Sequence, residues 1–119
     1  MPPDDRDVAH LWDMLQAAES ARVFVGEMSL QEFLANESAM VRRAVERELE
    51  ILGEAGRRIS DEFQQAHTEI PWKDIVGLRN VISHQYSKVD YGEIFRIVKR
   101  RIPTLIDQLE LLTPPPPAD

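Results

Sequence analysis

The chain has no cysteine, only five glycines and three histidines, and aromatic residues fill 7% of its 119 positions. Without cysteine there is no disulfide scaffold, no thiolate nucleophile and no cysteine-ligated zinc. No apolar run approaches the ~20 residues that a bilayer-spanning helix needs, so no membrane association is expected. The stretch Met1-Pro2-Pro3-Asp4-Asp5-Arg6-Asp7 carries acids where a secretory leader would carry positive charge and then an apolar run, and a cytoplasmic location is expected. Convincing strands, internal repeats and a second domain are missing as well. What remains is 43% hydrophobic and 29% charged. A chain of this length buries roughly two-thirds of the surface its unfolded form exposes, enough for one core.

Positive charge is also scarce. Fourteen Lys and Arg face 21 Asp and Glu, for a net charge of −7. That balance argues against a general nucleic-acid coat, because sequence-independent affinity for phosphates comes from Lys and Arg. The cations are nevertheless clustered: Arg42-Arg43 with Arg47, Arg57-Arg58, and Arg96 with Lys99-Arg100-Arg101. Such clusters read either as solvated helix faces or as a local anion-binding surface on an acidic body.

Helical periodicity dominates the rest. Asp4 to Glu27 reads as a helix with Val8, Leu11, Trp12, Leu15 and Ala18 inward, stopped by Gly26. Ser29 and Glu32 form a capping-box pattern opening a short helix through Phe33 and Leu34. A long helix is expected from Ser38 to about Gln65, its stripe running Val41, Val45, Leu52, Ala55, Ile59, Phe63. Glu48 sits in that stripe. Either the helix is rotated so that Leu49 faces the core, or Glu48 is a buried acid paired with a cation, for which Arg79 is the obvious donor. Gly53 and Gly56 each cost about 1 kcal/mol relative to Ala, which implies that another backbone approaches there. Pro71 suits the first position of the next helix, which takes in Trp72, Ile75, Leu78, Arg79 and Ile82 and ends between Ser83 and Tyr86. Asp90, with Glu93 as box partner, caps a last helix from Tyr91 to about Leu112, bent by Pro103. The expected fold is an all-α, up-down bundle of four main helices plus a short connecting helix. It spans residues 1–113, with 114–119 as a proline-rich disordered tail.

The segment Pro71 to Tyr86 concentrates the chemistry, with Arg79, Asn80, His84 and Tyr86 within eight residues. At about 100° per residue, Arg79 and Tyr86 share one helix face and Asn80 and His84 another. Arg79 and His84 lie some 140° apart, so they meet at one phosphate only at a helix break or across two chains. A histidine exchanges protons near neutral pH, and an arginine offers a permanent fork of donors to phosphate oxygens. The pair suffices for phosphodiester transfer from an RNA 2′-hydroxyl without a metal or other cofactor. Lys88 reads either as an exposed cation that touches RNA or as a solvated loop lysine. Tyr91, Trp12 and Trp72 read as structural residues. His10 and His67 fall at no metal-ligand spacing and read as surface residues.

Arg79, four residues, His84, one residue, Tyr86 resembles the motif of HepT-like toxins of the HEPN superfamily. Ile70 to Leu78 and Glu50-Ile51-Leu52-Gly53-Glu54-Ala55 are similar too, and the resemblance covers most of residues 5 to 112. It implies an all-helical homodimer with facing motifs and a metal-independent endoribonuclease acting as a toxin. Arg79 and His84 would be catalytic and Asn80 the polar residue beside the arginine; Glu48 is a supporting candidate from its place in the helix stripe alone. Tyr86 would be the tyrosine that a minimal nucleotidyltransferase antitoxin modifies with AMP, placing a bulky anion against Arg79. A rival from another class is a non-catalytic helical dimer that docks a nucleotidyltransferase, and a third is a nucleotide-binding regulatory subunit.

Overall fold

Helix boundaries follow from caps. The extended Asp4 accepts the Asp7 N–H at 2.9 Å and starts α1 (Asp5–Val25), and Gly26 ends it at φ 53°, a left-handed backbone that favours glycine. Ser29 and Glu32 form both bonds of the expected capping box, at 3.1 and 2.9 Å, and open α2 (Leu30–Leu34). A 3-10 turn, Asn36–Ser38, leads into α3 (Ala39–Arg58). The computed structural model describes residues 4–82 and 89–115, and all its regular elements are helical.

The single helix expected from Ser38 to Gln65 is broken. Ile59 is extended, and Ser60 caps a separate α4 (Asp61–Ala66) by accepting the Phe63 N–H at 3.2 Å. The cause lies 53 residues away. Asp7, only 4% exposed, accepts the Ser60 N–H at 2.8 Å and the Ser60 hydroxyl at 2.6 Å. A buried carboxylate needs such donors, and a continuous helix would have kept that N–H for itself.

Next comes α5 (Trp72–Ile82), with Pro71 just before it and the Pro71 carbonyl accepting the Ile75 N–H at 3.0 Å. The Trp72 indole donates to the His67 carbonyl at 2.9 Å. His67, expected at the surface, is instead half-buried on Phe63, with ring centroids 4.3 Å apart. Asp90 caps α6 (Tyr91–Arg100) through the Glu93 N–H at 3.0 Å. Arg101 separates it from α7 (Ile102–Leu112). Pro103 therefore falls in the first turn of α7, where its missing N–H has no intrahelical partner to lose.

In packing, α3 is central, with α1 along one side and α5 along another; α7 lies on α1 and beside α6. These are the four main helices, counting α6 and α7 as one bent helix. The core joins Leu11, Met14, Phe33, Val45, Leu49, Leu52, Ile94 and Leu109, all at 0% exposure. The inward face of α1 is rotated from the expected stripe: Met14, Ala17 and Ala21 are buried, whereas Val8, Trp12 and Leu15 are half-buried. Small alanines at this seam let α1 lie close to α3.

Of the two helix glycines, Gly53 faces another backbone of the same subunit as expected, whereas Gly56 faces side chains. A Cβ on Gly53 would stand 3.1 Å from the Ile75 carbonyl oxygen, and one on Gly56 2.8 Å from Ile75 Cγ2. Both are sub-contact distances, so the loss of helix propensity is offset by the close seating of α5 on α3. That seating fixes which part of α3 lies opposite Arg79.

Candidate active site

On α5, Ile75, Leu78 and Ile82 bury one stripe, and Arg79 follows Leu78 at its edge. Arg79 lines a cleft of about 430 Å³ between α1, α3 and α5, together with His10, Asp13, Arg47, Glu50, Glu54 and Arg58. Its Nη1 lies 3.9 Å from Glu54 Oε2, at ion-pair distance but longer than a hydrogen bond. The side chain is 65% exposed, so its donors are open to solvent.

Glu54 is the centre of this cluster. It accepts from Arg57 Nη2 at 2.7 Å and from Arg58 Nε at 3.1 Å, with Arg79 as third cation. The Arg57 hydrogen bond above all, followed by the one from Arg58, holds the Glu54 carboxyl down at about 2. Three guanidinium groups stand around this carboxylate, while over the cleft lining the charges balance, Arg47, Arg58 and Arg79 against Asp13, Glu50 and Glu54. Of the three arginines around Glu54, Arg58 and Arg79 line the cleft, whereas Arg57 does not.

Glu48 is placed differently from the paired-acid expectation. Leu49 takes the fully buried position and Glu48 is half-buried, as the rotated-helix alternative requires. Arg79 faces Glu54, six residues or about 9 Å further along α3. Asn80 is exposed. His84, Tyr86 and Lys88 lie outside the described residues. Sequence reasoning passed over His10, Glu54 and Arg58 as site residues. The signal for Glu54 and Arg58 was available in their i,i+4 spacing on one helix face, the favourable orientation for such a pair.

The other basic clusters divide by use. Lys99 donates to the Gly26 carbonyl at 2.6 Å, closing the end of α1. Arg96, Arg100 and Arg101 line a second cleft, of about 510 Å³, on the opposite flank of α5, where Arg101 pairs with Asp74 at 3.1 Å. Tyr91 is held structurally, its hydroxyl donating to Glu46 at 2.7 Å, and burial first and that bond second push it above the usual phenol range. Among the described residues no group of three or more His, Asp or Glu is placed to hold a metal ion, and no described helix is long and apolar enough to cross a membrane.

A family model described as ribonuclease HepT-like matches residues 14–112. The chain belongs to the HepT-like family. Among its relatives is "Putative RNase MJ1380" of Methanocaldococcus jannaschii, 40% identical over 108 residues, which cover 90% of this chain and 97% of the relative. "Probable ribonuclease HepT" of Thermococcus cleftensis is 35% identical over 103 residues, 87% of this chain and 92% of the relative. "Putative RNase TTE0752" of Caldanaerobacter subterraneus is 34% identical over 101 residues, 85% and 88% of the two chains. No solved structure matches significantly. Arg79, His84, Tyr86 and the whole Glu54 cluster fall inside the HepT-like match, whereas His10 precedes it.

Proposed function

We propose that this HepT-like protein is a metal-independent endoribonuclease in which Arg79 and His84 act at a composite site across a homodimer interface, and that it is the toxin of a toxin-antitoxin pair. The observation that carries this reading is the exposure of Arg79 along a cleft lined mainly by charged side chains rather than its burial in the core. A guanidinium so placed is presented to a phosphodiester.

The reaction balances with no outside reagent. The ribose 2′-oxygen attacks phosphorus and the bond to the 5′-oxygen breaks, leaving a cyclic phosphate and a free 5′-hydroxyl. One proton leaves the 2′-hydroxyl and one reaches the 5′-oxygen, and His84 serves one or both transfers. Arg79 stabilises the charge that develops on the phosphorane oxygens. A regular helix would set Arg79 and His84 about 140° apart. A partner subunit supplying the second motif unites the two groups, with Asn80 as a polar neighbour. Tyr86 is the point of control: its hydroxyl oxygen attacks the α-phosphorus of ATP on a nucleotidyltransferase antitoxin, pyrophosphate and the phenolic proton leave, and the attached AMP puts an anion where the substrate phosphate would bind Arg79. Lys88 adds a phosphate contact beside the motif.

Replacing Arg79 or His84 by Ala is expected to lower RNA cleavage by about 10²–10³-fold while the dimer stays folded. Cleavage retained in both variants removes the catalytic assignment. An intact-mass measurement after co-expression with the neighbouring gene product tests the control step, with an AMP-sized increment expected on the peptide holding Tyr86.

A further inference from the structure

Resting on the reading of Arg79 as a substrate-phosphate residue, we propose that Arg58 is its partner in gripping one phosphodiester of the RNA strand, and that Glu54 is the positioning residue that sets the two guanidinium groups side by side. Arg58 and Arg79 come from different helices, α3 and α5, yet both line the same cleft and both point at Glu54 Oε1 or Oε2, at 3.1 and 3.9 Å. Without an anion between them two guanidinium groups repel. With Glu54 there, both can stand in one cleft whose lining charges balance, Arg47, Arg58 and Arg79 against Asp13, Glu50 and Glu54.

The long Arg79 contact fits this role. A bond at 2.8 Å would spend the Arg79 fork on the carboxylate, whereas an ion pair at 3.9 Å orients it and leaves its donors to an incoming phosphate. Arg57, from outside the cleft, grips both Glu54 oxygens, donating to Oε1 at 2.7 Å beside Arg58 and to Oε2 at 3.4 Å. It anchors the carboxylate and meets no substrate. The glycine seam is what makes the arrangement possible, because Gly53 and Gly56 seat α5 close enough for Arg79 to reach Glu54.

Arg57 supplies the internal control, since a purely structural network would need it at least as much as Arg58. Fluorescence anisotropy with a labelled 2′-O-methyl oligoribonucleotide, which lacks the attacking hydroxyl, reads binding apart from cleavage on the full chain. Arg58→Ala and Arg79→Ala should each weaken binding about tenfold and reduce the salt slope by about one. Glu54→Ala should leave binding within about threefold but lower kcat by about ten- to a hundredfold, and Glu54→Asp should recover most of it. Arg57→Ala should leave binding near wild type, because Arg57 meets no substrate, and should lower kcat less than Glu54→Ala does; all variants should melt near the wild-type temperature. The proposal is overturned by wild-type binding in Arg58→Ala, by wild-type kcat in Glu54→Ala, or by Arg57→Ala proving as damaging as Arg58→Ala. Failure of the underlying reading looks different: Arg79→Ala then cleaves as wild type does, or the wild-type protein cleaves no RNA, and the Arg58 binding result still decides its own assignment.

Discussion

Two arginine clusters sit on the same helix and are used in opposite ways. Near the start of α3, Arg42 donates to the carbonyls of Phe33 and Ala35, at 2.8 and 2.6 Å, and lies over the Tyr91 ring with 5.4 Å to its centroid. Those carbonyls end α2, and Arg42 satisfies groups that would otherwise lack partners. Near the end of α3, Arg57 and Arg58 meet a carboxylate that also faces Arg79, at the edge of a cleft. One arginine is a backbone cap that happens to be charged; the others form an electrostatic assembly open to solvent. Charge pattern in the sequence does not distinguish them. The partners do, neutral carbonyls in one case and an acid with spare cations in the other.

The most severe way to break the comparison is through the seam that holds the second cluster together. Gly56→Val puts branched carbons where even a Cβ would be 2.8 Å from Ile75 Cγ2, so α5 must move off α3. The expected loss is about 2–3 kcal/mol of stability, read by chemical denaturation. RNA cleavage should fall further than the unfolded fraction explains, because Arg79 moves with α5. Stability loss with full specific activity in the folded fraction would show that Arg79 does not depend on this seating.

Arg42→Ala sharpens the contrast from the other side. It removes two charge-assisted bonds and the cation over Tyr91, for an expected cost of about 1–3 kcal/mol. Cleavage per folded molecule should not change. Glu54→Ala is expected to do the reverse, leaving stability and lowering kcat, so the two variants together form a double dissociation. A drop in kcat for Arg42→Ala beyond about threefold would merge the clusters into one functional surface.

What the sequence could show follows the range of each interaction. Capping signals act within four residues, and Ser29 with Glu32, Asp4, Gly26 and Asp90 all lie where local chemistry puts them. The break at Ile59 was missed because Asp7, far away in the chain, takes the Ser60 N–H. The acids Asp61 and Glu62 after Ser60 were a visible helix-start signal that the apolar stripe outweighed. For the site, Arg79 was legible from its motif, but its partner was not. Choosing between Glu48 and Glu54 needs the register of α5 against α3, and Gly53 and Gly56 show that the helices touch without showing how far one slides along the other. Arg58 stayed hidden for the same reason.

The smallest expected effect is also the most direct test of the Glu54 cluster. Its carboxyl is held at about 2, against an ordinary glutamate near 4.3. A folded-state value below the unfolded one means that the contribution to stability is present above pH 4.3 and is lost as the pH falls toward 2. The pair is solvent-exposed, so the change in melting temperature is small and is best read as a difference between wild type and Glu54→Gln across that window. The two curves should converge as Glu54 takes up its proton. A side-chain carboxyl titration by NMR should place the midpoint below 3, and Arg57→Ala should move it upward more than Arg58→Ala, following the order of their hydrogen bonds. An unperturbed midpoint near 4.3 would mean that Arg57 and Arg58 do not hold the Glu54 carboxylate in solution as their hydrogen bonds imply.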